Sequence, residues 1–524
     1  MRILTNAHIH TLNPKQPSAA ALAIERGKIF AAGRVEDLLT LASGQAEIEN
    51  LEGKCILPGM CDAHIHMLEY GRSLSKVNCE TLTRQECLQR IRTKCEQTRP
   101  GDWVLGHGWN HNTWPEGLGN AALLDQISQQ HPIFLSAKSL HCSWVNSAAL
   151  NLAGINSETP DPHGGCIERD VSGKPTGILY ESAANLMEKV IPDPGLDTNI
   201  AFVQAAQTKL LSYGITSIHD FDNWDCYEAL KKMEGRGNLH LQVSKGIPRQ
   251  KLQEVMDAGL QSGMGSDQLR IGPLKLFSDG ALGPQTAAML EPYKGSHSTG
   301  MLLMEADAML EIGIQAVSHG FNLAVHAIGD RANRVVLDGY EKLRNFEKKN
   351  GLASGRHRIE HVQLIHPSDQ TRMADLNIIA SMQPIHATSD RDMAEQQWGN
   401  RCRNAYAWKS LDTAGVKMIF GSDAPVEDPN PFLGIYAALT RQRYKENDQS
   451  GWHPEQCLTL EQVLHAYTIA PAFASAREDL FGTLASGHFA NLIVMEKDIF
   501  TQRPEQVAEM KPSAVMVKGA WIRL

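Results

Sequence analysis

Between residues 200 and 480 the sequence alternates between short, apolar or β-branched runs and amphipathic stretches of ten or more residues. This alternation is typical of βα units in a parallel sheet, because a helix follows each buried strand and covers it. One earlier run brings the strand-like segments to eight, the number that closes a (β/α)8 barrel. The predicted strands are 55–66, 214–221, 239–245, 270–278, 322–328, 358–364, 377–383 and 417–422. We therefore predict an α/β fold built on a distorted (β/α)8 TIM barrel.

Two parts of the chain do not follow this rhythm. About 150 residues separate the first two predicted strands, far more than a barrel helix and its loops need, which predicts a cap insertion within 71–200. Residues 1–57 and 480–524 contain hairpin-like segments, and each is too short for a core of its own. We predict that both termini pair in one small β-sandwich domain, with the barrel domain over 58–479.

Composition and charge limit the partners of the chain. It carries 50 Lys and Arg against 59 Asp and Glu, a formal net charge of −9, without a dense basic run. This balance excludes nucleic acid or an anionic membrane as the main partner and favours a small-molecule substrate. Ten Cys without a C-x-x-C pair, and no signal-like or membrane-spanning segment, lead us to expect reduced thiols and a cytoplasmic location. The sequence leaves the oligomeric state open, a homodimer included.

Potential metal ligands recur at the ends of the predicted strands. His64 and His66 are two residues apart, so a strand places both imidazoles on one face. The same position near the end of a strand is held by Lys275, His326, His361 and Asp423. Strand C-termini converge on one mouth of a barrel, and His and Asp are ligands for zinc and related divalent ions. A second H-x-H pair, His8 and His10, has the same spacing but lies outside the barrel, which predicts ordinary strand or surface residues, as does the position of His488.

Lys275 is the exception in this set, because a protonated ammonium has no lone pair for a metal. Addition of carbon dioxide would turn its amine into a carbamate, whose two oxygens could bridge two metals. The alternative is an ion pair with Asp279 or Asp220. The residue pattern alone leaves both possibilities open.

Eight segments carry a resemblance to a known family over nearly the whole chain. They are ILPGMCDAHIH (56–66), HCSWVNSAAL (141–150), GGCIERDVSGKPTGILYE (164–181), KLFSDGALGPQTAAM (275–289), AVHAIGDRA (324–332), RIEHVQ (358–363), GSDAPVEDPNPF (421–432) and GTLASGHFANLIVM (482–495). The chain resembles the amidohydrolase superfamily, and within it the amidohydrolase-3 group. This group is also called YtcJ-like or AepA-like and includes the N-substituted formamide deformylases.

The resemblance implies a binuclear metal centre and a hydrolytic reaction. His64, His66 and Asp423 would hold one metal, His326 and His361 the other, and a carboxylated Lys275 would bridge them. Two Zn²⁺ ions are the implied cofactor, although iron, manganese or nickel suit the same ligands. Metal-bound hydroxide would attack a non-peptide amide, while Asp423 takes up a proton and returns it to the leaving amine. The same centre could instead hydrolyse an ester, carbamate or phosphoester, and a non-catalytic regulatory protein is the remaining alternative.

Substrate contacts are predicted at five further positions: His141, Trp109, His219, Asp220 and Asp279. His141 could instead make a structural hydrogen bond, and Asp279 could form an Asp-Gly turn or orient a metal ligand. Trp109 and Trp114, with the nearby His107 and His111, could line an aromatic pocket or build the core of the insertion. His386 and Thr388 follow the seventh predicted strand and are weaker candidates of the same kind.

Overall fold

The computed structural model describes residues 1–42, 46–110, 114–137, 142–162, 165–192, 194–446 and 450–523. The chain divides into two compact units, Met1–Tyr70 with Val203–Leu524, and Gly71–Phe202. None of the helices in these ranges has the length and apolar character needed to cross a bilayer.

Eight parallel strands of the first unit form a nearly closed barrel. They are β1 (Met60–Ile65), β2 (Ile215–Asp220), β3 (Gln242–Pro248), β4 (Leu269–Phe277), β5 (Leu323–Ala327), β6 (Arg358–His361), β7 (Ile379–Met382) and β8 (Met418–Phe420). Almost every residue in these strands is buried, as expected for a parallel sheet covered by helices. The predicted α/β barrel is confirmed.

Helices follow most of the strands. The longest, Asp330–Lys349, buries Val336, Leu337 and Tyr340, and the Tyr340 hydroxyl donates to the Arg358 carbonyl of β6 at 2.9 Å. The other helices of four or more residues in or bordering this unit are Val35–Leu41, Met67–Ser75, Leu196–Ser212, Trp224–Gly235, Leu252–Asp257, Ala306–Ser318, Pro367–Asp375, Pro384–Ser389, Arg391–Trp398, Gly399–Asn404, Trp408–Thr413, Pro431–Thr440, Leu460–Tyr467, Ile469–Ala474 and Pro504–Ala508.

Strands from both ends of the chain form one hydrogen-bonded sheet beside the barrel sheet in the first unit. In spatial order they are Ala520–Ile522, Pro512–Val517, Leu492–Met495, Glu47–Pro58, Arg2–Asn13, Gln16–Glu25 and Lys28–Gly33. Leu4, Ile56, Leu492 and Met516 share one buried apolar cluster, so N-terminal and C-terminal residues complete the same core.

The predicted strand 55–66 is in fact divided between the two sheets at Gly59. The Gly59 N–H donates to the Asn491 carbonyl at 3.0 Å, and the next N–H, of Met60, donates to Gly214 at 3.0 Å. A Cβ on Gly59 would lie 2.3 Å from Thr216 Oγ1. Only glycine permits this close crossing, so the chain leaves the terminal sheet and enters β1 here.

The second unit, Gly71–Phe202, has its own sheet and core. Its strands, in spatial order, are Gly165–Arg169, Pro175–Glu181, Cys142–Val145, Ile133–Ala137, Val104–Trp109 and Val77–Asn78. The helices that lie wholly within this unit are Arg84–Gln97, Ala121–Asp125, Ser147–Leu152 and Asn185–Glu188. Trp109, Trp114 and Trp144 lie in one buried cluster, with ring centroids 6.1 to 6.3 Å apart.

Candidate metal centre

A cavity of about 320 Å³ lies at the carboxyl ends of the barrel strands. Six of its lining residues are the predicted metal ligands His64, His66, Lys275, His326, His361 and Asp423. The barrel thus brings together side chains that are up to 359 residues apart in sequence.

The Asp423 carboxylate lies at the middle of this group. Its Oδ1 is 3.4 Å from His64 Nε2 and 3.4 Å from His66 Nε2. Its Oδ2 is 3.4 Å from His386 Nε2 and 4.0 Å from His361 Nδ1. Although burial opposes it, hydrogen bonding from His386 and His66 holds the pKa of Asp423 well below its usual range, so the carboxylate is anionic.

His64 is oriented from the side away from Asp423. Its Nδ1–H donates to Glu360 Oε2 at 2.6 Å, which leaves the Nε2 lone pair directed at Asp423. Burial, with a contribution from the charge of Lys275, lowers the pKa of His64 to about 4. The neutral ring is the form that binds a metal. A carboxylate that accepts the Nδ1 hydrogen makes the Nε2 atom of the imidazole more basic.

His66 has a similar partner in Asp222. Its Nδ1 is 3.3 Å from Asp222 Oδ1 and its Nε2 faces Asp423. Although burial opposes it, hydrogen bonding to Asp222 and Asp423 raises the pKa of His66 to about 10. Nε2 therefore lies in a strongly negative environment that favours either a proton or a metal cation.

His326 and His361 face each other with ring centroids 4.6 Å apart. His326 Nε2–H donates to the Gly280 carbonyl at 2.9 Å, so Nδ1 is its available donor. His361 Nδ1–H donates to Gln383 Oε1 at 2.9 Å, so Nε2 is available. Burial lowers the pKa of His326 to about 4 and holds that of His361 well below its usual value, which keeps both rings neutral.

Two of these residues have backbone conformations that are rare for residues other than glycine. His361 has φ = 76° and Asp423 has φ = 59°. Such conformations cost about 1–3 kcal/mol and persist where the surroundings hold the residue in place. For Asp423 one such restraint is its N–H, which donates to the His64 carbonyl at 2.7 Å.

This restraint belongs to the seam between β1 and β8. At the mouth, the Asp423 N–H donates to the His64 carbonyl, and the His66 N–H donates to the Ala424 carbonyl at 2.9 Å. Deeper in the seam, the buried Asp62 carboxylate accepts N–H groups from His64 and Ser422, at 3.1 and 3.0 Å, and the Ser422 hydroxyl. The strands that carry His64, His66 and Asp423 are therefore joined to each other directly.

Lys275 lies among these groups without an ion pair in the part of the chain that the structure describes. Its Nζ is 4.9 Å from the centroid of the Phe221 ring, and burial lowers its pKa to about 8. Asp220 pairs instead with Lys245 at 2.8 Å, and Asp279 accepts three backbone N–H groups. Neither of the ion pairs considered for Lys275 is present.

Among the other predicted contacts, His219, Asp220 and Asp279 are buried and do not line the cavity, and Trp109 is buried in the second unit. His219 Nδ1 accepts from Arg358 at 2.8 Å, and Asp220 accepts the Met67 N–H at 2.8 Å. Asp279 Oδ1 is 3.5 Å from His326 Nε2, consistent with orientation of that ring. The buried Trp109 donates its indole N–H to Leu135 at 2.9 Å. His141 and His111 lie outside the described residues, and substrate contact by any of these residues stays a prediction.

Sequence reasoning missed the residues that orient the imidazoles and did not assign His386 to the centre. Glu360, Asp222 and Gln383 contact the far nitrogens of His64, His66 and His361. Each lies at or just beyond the end of a barrel strand, and that position was the available signal. His386 faces Asp423, and its Nδ1 is 3.4 Å from Glu427 Oε1. Hydrogen bonds to both carboxylates raise the pKa of His386 to about 10 against the effect of burial.

These residues fit divalent metal ions. His64, His66 and Asp423 each offer one donor atom within 4.8 Å of the others, and so do His361, His386 and Asp423. The donors are imidazole nitrogens and carboxylate oxygens, and the far nitrogens of the rings are held by acceptors, the usual arrangement around zinc and related ions.

Comparisons with known proteins agree with this arrangement. A family model described as the amidohydrolase family matches residues 47–522. YtcJ of Bacillus subtilis (strain 168) is 30% identical, over 98% of this chain and 97% of that protein, and the N-substituted formamide deformylase of Arthrobacter pascens is 27% identical, over 99% and 97%. An uncharacterized metal-dependent hydrolase from Pyrococcus furiosus is 28% identical in sequence. Its crystal structure superimposes on this chain with a TM-score of 0.79, and the match covers 96% of this chain and 99% of that one. The resemblance carried by the sequence motifs is confirmed: the chain belongs to the amidohydrolase family.

Proposed function

We propose that the protein is a metal-dependent hydrolase that cleaves the C–N bond of a non-peptide amide. The observation that carries the proposal is the position of Asp423, whose carboxylate lies 3.4 Å from His64 Nε2 and from His66 Nε2 at the mouth of the barrel. The relative from Arthrobacter pascens, an N-substituted formamide deformylase, supports an amide as substrate.

The cofactor we propose is two divalent metals, Zn²⁺ in the first instance. His64, His66 and Asp423 would hold one, and His326 and His361 the other. Metals there would polarise a carbonyl oxygen and lower the pKa of water. A carboxylated Lys275 would bridge them, and its pKa of about 8 supports this, because a fraction of the amine is then neutral and nucleophilic at neutral pH.

Asp423 is the residue that we propose moves the proton. As an anionic carboxylate it can accept a proton from the attacking water, and as a carboxylic acid it can then donate that proton to the leaving amine. His386 Nε2, 3.4 Å from Asp423 Oδ2, restricts where the carboxylate can turn between these steps.

The cavity walls favour a small substrate with an apolar part. Phe277, Leu282, Ile328 and Val426 contribute apolar side chains to the cavity lining, and Asp390 and Glu427 contribute carboxylates, of which Glu427 contacts His386. An apolar acyl or amine substituent would pack on the apolar side chains and leave the scissile group at the metal ligands.

Metal analysis tests the binuclear centre. We expect at least two metals per chain in protein grown with bicarbonate, and a loss of about two in Lys275→Ala, which leaves any metal bound away from the barrel mouth in place. Lys251→Ala, which removes an exposed lysine paired with Glu254, is the matched control and should keep the wild-type metal content. One metal or none in the wild type, without a response to Lys275→Ala, would contradict the bridged centre.

A substrate panel tests the scissile bond. Formamides, N-acyl amines and cyclic amides should be hydrolysed faster than esters, carbamates and phosphoesters of matched size. Asp423→Asn should lower kcat by about 10²-fold or more, because proton transfer is lost. Faster hydrolysis of the esters, carbamates or phosphoesters would contradict amide specificity. A biological effect that survives Asp423→Asn would favour a regulatory role.

A further inference from the structure

The pair His8 and His10 has the spacing of His64 and His66, and in the terminal sheet one of its members meets two other potential ligands. His10 lies on the strand Arg2–Asn13, Cys55 on the adjacent strand Glu47–Pro58, and Asp498 just after Leu492–Met495. His10 Nε2 is 2.9 and 3.0 Å from the two Asp498 carboxylate oxygens. Cys55 Sγ is 3.9 Å from Asp498 Oδ1, and one donor atom from each residue lies within 4.8 Å of the others.

The cluster combines a buried thiol with groups that solvent can reach. Cys55 is fully buried, whereas the side chains of His10 and Asp498 are 24% and 20% exposed. Asp498 Oδ1 also accepts the Phe500 N–H at 3.0 Å, and the Phe500 ring lies 4.4 Å from the His10 ring. These contacts fix the carboxylate and the imidazole next to the thiol.

The donor distances are close to those of a tetrahedral metal site. Metal–sulfur bonds of about 2.3 Å and metal–nitrogen or metal–oxygen bonds of about 2.0 Å place neighbouring donor atoms roughly 3.3 to 3.5 Å apart. The observed 2.9 and 3.9 Å bracket this range, and the third pair, His10 and Cys55, has donor atoms within 4.8 Å of each other. The hydrogen bond between His10 and Asp498 would give way to two bonds to the same cation.

We propose that His10, Cys55 and Asp498 form a structural binding site for a thiophilic divalent cation such as Zn²⁺, separate from the centre at the barrel mouth. Binding releases the Cys55 thiol proton to solvent and moves the imidazole hydrogen of His10 from Nε2 to Nδ1, so that the thiolate, the neutral imidazole through Nε2 and the carboxylate provide three ligands. Water takes the fourth position on the exposed side. The ion would tie the C-terminal segment to two N-terminal strands, since 443 residues separate Cys55 from Asp498.

Cobalt substitution provides a test that the barrel centre cannot imitate. The proposed ligands at the mouth include no thiol, so a thiolate-to-cobalt charge-transfer band in the near ultraviolet reports a cysteine ligand elsewhere. We expect this band in full-length protein loaded with Co²⁺, its loss in Cys55→Ser, and its persistence in Asp423→Asn. No band, or a band that survives Cys55→Ser, would overturn the proposal.

Milder variants keep the test valid if Cys55→Ser fails to fold. Asp498→Asn keeps an oxygen that can accept the Phe500 N–H but removes the charge, and we expect affinity for Co²⁺ at this site to fall by about tenfold or more. His10→Gln should do the same, while His8→Gln, on the same strand but exposed, is the matched control with unchanged affinity. Equal affinity in all three variants would mean that the cluster is only a hydrogen-bonded contact.

Discussion

At the scale of single residues, the candidate centre depends on the groups that accept hydrogen bonds from the imidazole rings as much as on the rings themselves. Burial keeps His64, His326 and His361 neutral, and Glu360, Gly280 and Gln383 each accept a hydrogen bond from one of these rings. The acceptor selects which nitrogen remains free for a metal. Residues without any role as ligands should therefore control metal affinity.

Glu360→Gln tests this dependence. The amide keeps the shape of Glu360 but loses the charge that holds the His64 N–H and the buried guanidinium of Arg358. We expect metal affinity to fall by about 10- to 100-fold, measured by competition with a chelator. Glu478→Gln, which breaks a partly exposed pair with Arg356, is the control and should leave metal affinity unchanged. Equal affinity in Glu360→Gln would show that the carboxylate does not position His64.

A second buried carboxylate, Glu347, predicts a pH dependence of stability. His357 Nδ1 accepts the Leu323 N–H, so its Nε2–H donates to Glu347 at 3.0 Å, and Arg344 donates at 2.8 Å. Although burial opposes it, these bonds lower the pKa of Glu347 to about 2 from an ordinary 4.5. Because the folded pKa is the lower one, the stabilisation is complete above pH 4.5 and is lost as the pH falls towards 2.

Glu347→Gln should remove this contribution. The difference between the two pKa values corresponds to at most about 3 kcal/mol at neutral pH. We expect the variant to have a lower Tm than the wild type at pH 7, with a gap that narrows as the pH is lowered from 5 to 3. A gap that is constant over this range would show that the ionised carboxylate is not the cause.

At the scale of elements, the sequence was most informative where a strand stands alone between helices. The periodic runs 322–328 and 358–364 contain β5 and β6 because each is bounded by clear breaks, although the second run extends three residues beyond β6. The run 55–66 gave no sign of its division, since Gly59 follows Pro58 in a continuous apolar segment. Its break depends on a contact with Thr216, which is 157 residues away and which no local pattern encodes.

Gly59→Ala tests the importance of this crossing. The added methyl group would lie within 3 Å of three Thr216 side-chain atoms, and overpacking of this kind costs about 1–3 kcal/mol. We expect a lower Tm in Gly59→Ala, measured by thermal unfolding, and partial recovery in the double variant with Thr216→Ala. Gly33→Ala, with no atom within 4 Å of its added methyl group, is the control. No loss of stability in Gly59→Ala would mean that the crossing can widen freely.

The sequence predicted which side chains meet at the mouth of the barrel, because the ends of the strands converge there; their role as metal ligands stays a prediction. The barrel topology alone gathers His64, His66, Lys275, His326, His361 and Asp423, so ligand types at strand ends were sufficient to name them. The partners Glu360 and Asp222 could not be assigned, because whether a carboxylate faces an imidazole depends on side-chain directions that the sequence does not contain.

At the scale of the whole molecule, the two ends of the chain stabilise each other. Leu492–Met495 pairs with Glu47–Pro58, which leads directly into β1. Removing the C-terminal strands would expose one edge of this pair and the apolar cluster that contains Leu4 and Ile56. Stability of the barrel should therefore depend on residues far from its mouth.

A chain that ends at residue 490 should test this dependence. It lacks Leu492–Met495 and Pro512–Val517, and we expect a much lower soluble yield and loss of the cooperative unfolding transition, measured by scanning calorimetry. A chain that ends at residue 522 keeps all strands of the sheet and should unfold like the full chain. Cooperative unfolding near the original Tm in the shorter chain would show that the barrel is stable without the terminal sheet.

The seam between β1 and β8 has a consequence for how this scaffold can change. A substitution in this seam changes the closure of the barrel and the position of the proposed metal ligands at the same time. His64 and Asp423 are joined by a backbone hydrogen bond, and their side chains lie 3.4 Å apart at the mouth. The ends of β1 and β8 should therefore admit few substitutions, because their backbone hydrogen bonds close the barrel and their side chains include three of the proposed metal ligands.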